Sequence, residues 1–127
     1  MELSARSQHI LGENAVKRAA VFATYGDGWL PDPSHMSRKL DPRSLEALDR
    51  FCQYVNGFSQ EPTVFFHETG MMELCWVDCQ ITFWPTHMEV FCLGHFDDDY
   101  SFFVPGSECD VRYILFINWL RDTKLIS

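Results

Sequence analysis

The stretch PTVFFHETGMMELCWVDCQITFWPTHMEVFCL, residues 62–93, consists of short runs rich in aromatic and β-branched residues that follow a period of two. This period is typical of β-strands, in which successive side chains point to opposite faces of a sheet. Turn residues separate the runs at residues 69–70, at Asp78 and at residues 85–87. We therefore predict an antiparallel meander with strands at residues 63–68, 72–77, 80–84, 88–93 and 100–104.

Helical patterns precede this stretch. Residues 4–23 carry apolar residues at helical spacing, and Gly12 stands where it would divide the segment into two short helices. Asp41 followed by Pro42 is typical of a helix start, with Asp as the N-cap and Pro at the first helical position. An apolar stripe then predicts a helix over residues 42–55.

A further helical pattern follows the sheet. Ser107-x-x-Asp110 resembles a capping box and predicts a helix over residues 108–122. The predicted fold is therefore α+β, with N-terminal helices, an antiparallel meander of four to five strands and a C-terminal helix packed on the sheet. At 127 residues the chain suits a single domain, with residues 1–24 as a helical N-terminal segment and residues 62–104 as the sheet.

The composition is that of a globular protein, with 46% hydrophobic and 15% aromatic residues. No apolar run approaches the roughly 18 residues of a membrane span, and the first residues lack the layout of a signal peptide. We therefore expect a cytoplasmic protein, in the host cytoplasm if a phage encodes it. The five cysteines are expected to be reduced thiols that pack as small hydrophobic groups.

The net charge of −8 is confined to one half of the chain. Residues 1–60 hold equal numbers of basic and acidic groups, whereas residues 61–127 hold three basic against eleven acidic groups. Such a surface repels nucleic acid, because phosphate binding requires basic groups, and it attracts a basic protein surface. The alternative is a charge that serves only solubility.

The predicted sheet carries large residues on both faces. In the first strand, for example, Val64 and Phe66 alternate with Phe65. Helices are expected to cover one face, and the aromatic residues of the other face would be covered by the N-terminal segment, by a second copy or by a partner. Exposed aromatic patches are typical of interaction sites.

The residues that we expect to contact a partner combine acidic and aromatic groups. They are Asp97, Asp98, Asp99, Glu89, Glu73, Phe91 and Trp84. The acidic run at residues 97–99 lacks the spacing of a calcium-binding loop, so it is either a solvated loop or the tip of the acidic surface.

Cys75, Cys79, Cys92 and His95 are the residues whose spacing permits a tetrahedral zinc site. Two observations argue against it: Cys75 and Cys92 fall inside predicted strands, and Cys75 would share a sheet face with Glu73. We therefore expect no metal and no cofactor. The sequence motifs of hydrolases, nucleotide-binding loops and metalloproteases are absent, so no catalytic residue is predicted.

The order of these motifs resembles a loosely defined family of small bacterial and phage α+β proteins of unknown function. The resemblance covers about residues 25–92 and rests on a Gly-Trp loop, a helix, a P-x-V strand and an L-x-W strand. In this chain these motifs are Gly28-Trp29, Pro62-Thr63-Val64 and Leu74-Cys75-Trp76. Cys75 replaces the Glu that the family usually has before the Trp, which puts any role of that Glu in doubt here. The family is common on mobile elements near toxin–antitoxin and antiviral-defence genes, which implies an accessory, protein-binding role.

The sequence thus favours a non-enzymatic protein-binding module, either antitoxin-like or a phage anti-defence inhibitor of the anti-CRISPR type. It would dock an acidic aromatic sheet on a basic partner surface, such as that of a nucleic-acid-handling protein, without binding nucleic acid or membrane itself. The alternative is a self-associating accessory protein that forms a homodimer through the aromatic face. A small enzyme is the third and least favoured class.

Overall fold

Four helices and one five-stranded sheet make up the part of the protein that the computed structural model describes, residues 2–92 and 100–127. In chain order the elements are α1 (Ala5–Leu11), α2 (Glu13–Phe22), α3 (Pro42–Cys52), β1 (Thr63–Phe66), β2 (Met72–Cys75), β3 (Cys79–Phe83), β4 (His87–Cys92), β5 (Tyr100–Pro105) and α4 (Val111–Asp122). The strands lie in the order β1-β2-β3-β4-β5, and every neighbouring pair is antiparallel. The predicted α+β fold with a meander and a C-terminal helix is confirmed.

The register divides the sheet into two faces, because residues paired across antiparallel strands point to the same side. The covered face includes Val64, Phe66, Met72, Leu74, Cys79, Ile81, Phe83, Met88, Val90, Cys92, Phe102 and Val104. The open face includes Thr63, Phe65, Glu73, Cys75, Gln80, Thr82, Trp84, His87, Glu89, Phe91, Ser101, Phe103 and Pro105. The residues of the covered face on β2, β3 and β4 are almost entirely inaccessible to solvent, so this face forms the core.

Helices α3 and α4 pack on the covered face. The buried Ser44 hydroxyl of α3 donates to the carbonyl of Phe83 at 2.6 Å and accepts from the backbone N–H of Met72 at 2.8 Å. On α4, the ring of Phe116 lies 5.9 Å from that of Phe102 in an edge-to-face arrangement. The Ser44 bonds fix α3 across two strands, because a buried hydroxyl without partners would be costly.

The N-terminal helices join the same layer. The predicted segment is divided at Gly12, whose φ of 90° favours glycine. Helix α1 is tied to α3 by the Ser7 hydroxyl, which donates to the Asp49 carboxylate at 2.6 Å. Helix α2 packs on β1, where Phe22 meets Phe66 of the covered face with ring centroids 5.5 Å apart. The N-terminal segment therefore packs on the covered face and reaches the open face at the β1 edge, where Arg18 lies beside the ring of Phe65.

The ends of the elements differ from the predicted ones for local reasons. Helix α3 ends at Cys52 and not at residue 55, because the N–H of Gln53 already bonds carbonyls two and three residues earlier. Helix α4 begins at Val111, because the Asp110 carboxylate, and not Ser107, accepts the capping bond from the N–H of Arg112. The first three strands are also shorter or shifted by a residue or two. None of the described helices has the length and apolarity that crossing a membrane requires.

Candidate functional site

One row of paired residues crosses all five strands on the open face. Phe65 pairs with Glu73, Glu73 with Thr82, Thr82 with Glu89, and Glu89 with Phe103. The row therefore places one carboxylate on each side of a short threonine and one aromatic ring at each end. Because β2 and β4 are separated by β3, the backbones that carry the two carboxylates lie about 10 Å apart.

Glu73 is the residue of this row whose surroundings fit its charge least well. It is only 7% exposed, and neutral groups bond to it: Gln80 donates to one carboxylate oxygen at 2.9 Å and Thr82 to the other at 3.4 Å. Burial raises the pKa of Glu73, and repulsion from Glu89 adds to the increase, whereas the imidazole of His67 and the Thr82 bond oppose it. A desolvated carboxylate with only neutral bonding partners is costly in a folded protein.

Glu89 is bordered by an aromatic wall. The indole N–H of Trp84 donates to its carboxylate at 3.2 Å. The rings of Trp84 and His87 are stacked with centroids 6.0 Å apart, and His87 meets Phe103 edge to face at 5.3 Å. These three rings lie beside Glu89, so the site joins negative charge to flat π surfaces.

The aromatic ends of the open face remain in contact with solvent. Phe65 is 44% exposed, Phe91 36% and Phe103 68%. Arg18 reaches around the β1 edge, where it donates to the Val64 carbonyl and lies 5.3 Å from the centroid of Phe65. No strand position on the open face between residues 63 and 105 of the described chain is Lys or Arg.

The structure brings together four of the residues expected to contact a partner: Glu73, Trp84, Glu89 and Phe91 all lie on the open face. The acidic run at residues 97–99 lies outside the described residues. Sequence reasoning did not select Thr82 and Phe103 for the site. Strand alternation in the sequence is enough to indicate that Phe103 is exposed. Placing Thr82 between two carboxylates, however, requires the register of the strands.

The candidate zinc ligands are distributed over both faces. Cys79 and Cys92 are paired across β3 and β4 and buried, with sulfur atoms 3.6 Å apart. Burial raises the pKa of the Cys79 thiol, which favours the neutral thiol over a metal-binding thiolate. Cys75 points to the open face beside Glu73, and His95 lies outside the described residues. Of the four candidate zinc ligands, the described structure therefore brings Cys79 and Cys92 together.

A second polar cluster lies near the β1–β2 turn, on the loop that precedes α3. His35 lies between two carboxylates, with Nε2 2.7 Å from Glu68 and Nδ1 3.5 Å from Asp32. The hydrogen bond to Glu68 raises the pKa of His35, and the charges of both carboxylates add to the increase. The two carboxylates stabilise the protonated form of the imidazole. Because the two ring nitrogens point in opposite directions, the three groups do not converge on one ion.

No protein-family model matches this chain, and no curated protein or solved structure matches it either. The family resemblance of residues 25–92 therefore stays a prediction.

Proposed function

We propose that this chain is a non-enzymatic protein-binding module that docks its open face on a basic surface of a partner protein. The observation that carries the proposal is the row from Phe65 to Phe103, which combines exposed rings with two carboxylates on a face whose described strand positions include no Lys or Arg. Interfaces favour aromatic anchors, and charge complementarity accelerates the encounter of the two proteins.

The more specific form of this proposal is an inhibitor of the antitoxin or anti-CRISPR type. Proteins that handle nucleic acid present basic surfaces, and an acidic aromatic face would compete for such a surface by charge and shape. The excess of acidic groups in residues 61–127 and the family resemblance support this form.

A self-associating protein is the second candidate, since the exposure of Phe103 also suits burial against another copy. In a two-fold dimer through this face, however, Glu73 and Glu89 would meet a second acidic face. Light scattering over a dilution series separates the two candidates. A monomer at all concentrations is expected, and a stable dimer that buries Phe103 would favour self-association.

Site-specific photo-crosslinking tests the docking face directly. The photoreactive residue p-benzoylphenylalanine would replace Phe103 on the open face or, as a matched control, Val111 on α4; the two positions are 68% and 67% exposed. In cells that naturally encode the chain, we expect a discrete crosslinked protein from position 103 and not from position 111. The captured protein, once purified, should associate more slowly as salt increases. Equal capture from both positions, or association indifferent to salt, would contradict the proposal.

A further inference from the structure

The two carboxylates of the open row present a more specific arrangement than a diffuse negative surface. Glu73 and Glu89 flank Thr82 in the row, and Phe65 and Phe103 close the row at its ends. The backbones that carry the two carboxylates are about two strand spacings apart. The wall of Trp84, His87 and Phe103 lies beside Glu89 on the β4 side.

From this arrangement we infer that the row receives an arginine side chain of the partner at Thr82, with its guanidinium group bonded to Glu73 on one side and to Glu89 on the other. This inference rests on the proposed docking function and names the chemical group that the open face recognises. The occupant is argued from charge complementarity, because both carboxylates are bonded by neutral donors within the face: Gln80 and Thr82 for Glu73, and Trp84 for Glu89.

Three features favour a guanidinium group over a compact ammonium group. First, a guanidinium carries five N–H donors in a plane and can bond to two carboxylates at once, each through charge-assisted bonds of about 2.8 Å. Second, its flat faces suit the rings of Trp84 and His87, against which arginine stacks. Third, it is less strongly hydrated than an ammonium group, so its transfer to the partly buried position beside Glu73 is less costly.

The balance of charge within the face supports the same occupant. In the free protein, Glu73 bears the cost of burial without a cation on the strands around it. A bound guanidinium would supply that charge and would turn an unfavourable buried carboxylate into one half of an ion pair. The binding contribution of Glu73 would therefore exceed that of an exposed glutamate, whose charge is already solvated.

A titration with small peptides tests the inference without a partner. The probes are acetylated Gly-Arg-Gly amide and the same peptide with citrulline, which has the shape of arginine without its charge. The reporter is the NMR signal of the Trp84 indole N–H, which bonds to Glu89 and is assigned by its loss in Trp84→Phe. We expect a saturable shift with the arginine peptide and none with the citrulline peptide.

Variants then assign the effect to the two carboxylates. Glu73→Gln and Glu89→Gln should each weaken arginine-peptide binding by about tenfold or more, since each removes a charge-assisted contact. Glu46→Gln is the matched control, because Glu46 is an exposed glutamate of α3, the helix on the covered face. It should bind as the parent protein does.

The inference would be overturned by equal binding of the citrulline peptide, by the absence of any saturable shift, or by Glu73→Gln and Glu89→Gln variants that bind like Glu46→Gln. These results are independent of the crosslinking at position 103. If capture from position 103 succeeds while the peptide results are negative, the docking function stands and the arginine site is wrong. If capture fails, the docking function itself is wrong, whatever the peptides do.

Discussion

Replacing Glu73 with glutamine is expected to stabilise the free protein at neutral pH. Glutamine has the shape of the carboxylate and can keep both of its contacts. Its oxygen can accept from Gln80, now at 2.9 Å from the carboxylate, and its amide can donate to the Thr82 hydroxyl, now at 3.4 Å. The change therefore removes the buried charge and its repulsion from Glu89 and keeps a bonding partner for the side-chain oxygen and for the side-chain nitrogen.

The magnitude follows from two opposing terms. Desolvation of an incompletely paired carboxylate costs several kcal/mol. A well-formed hydrogen bond to a charged group returns about 1.5–3 kcal/mol, which applies to the short Gln80 bond and hardly to the long Thr82 bond. The net gain expected for Glu73→Gln is therefore about 1 kcal/mol, or a rise in Tm of roughly 4 °C for a domain of this size.

The pH dependence gives the same prediction a second check. Burial raises the pKa of Glu73 above its ordinary value of 4.5; Glu89 adds to this shift and His67 opposes it. The folded protein thus holds a proton on Glu73 more tightly than the unfolded chain does. Stability of the parent protein therefore falls as pH rises from 4.5 through the raised pKa, and the glutamine variant lacks this loss.

Thermal unfolding followed by circular dichroism between about pH 4 and pH 8 measures both effects. The advantage of Glu73→Gln should be complete at the upper end and should shrink as pH approaches the lower end. Glu46→Gln, an exposed control on α3, should show no comparable trend. A Glu73→Gln variant that is less stable at neutral pH, or whose advantage is the same at every pH, would refute the argument from desolvation.

Three further predictions concern other parts of the chain. Gly70→Ala should lower the free energy of unfolding by about 3 kcal/mol or more in urea titrations, since φ is 87° and a Cβ would clash with the Lys39 carbonyl oxygen. Gly26→Ala, with open space around it, should change the free energy of unfolding by less than about 0.5 kcal/mol. Tyr113→Phe should be neutral or stabilising by up to about 1 kcal/mol in the same assay, because the buried hydroxyl has no bonding partner among the described residues. A loss above about 1.5 kcal/mol would contradict this. Reversing the charges of residues 97–99 should slow association with the captured partner at low salt, and unchanged stopped-flow rates would exclude a role of this acidic run in steering.

The fold could be predicted because its signals are local. The change from helical spacing to a period of two marks the sheet, and Asp41 with Pro42 starts α3 where the sequence indicates. The ends of the helices were predicted less well, because they depend on which of several local hydrogen bonds forms. Asp110 lies closer to the helix than Ser107 and caps α4 through the N–H of Arg112.

The candidate site could be predicted only in part. Alternation places Glu73 and Cys75 on one face of a single strand, as expected. The row that joins Glu73 to Thr82 and Glu89 depends on the register across two turns, and turn residues alone do not fix that register. The layer that the N-terminal helices join was also undetermined, because helical spacing identifies an apolar side without identifying what covers it. Ser7 and Asp49 decide it through a long-range bond.

The core needs only one of the two sheet faces, so packing alone does not explain why the row on the open face contains glutamates. The core requires only one apolar face, and residues such as Leu74 and Ile81 supply it at complete burial. Threonine or valine in place of Glu73 would suit a strand better than glutamate and would avoid the buried charge. Sequences that depart from such local rules commonly do so at functional sites. Because α3 is anchored on the other face, through Ser44, the open row can be varied for binding while the packing of the core is retained.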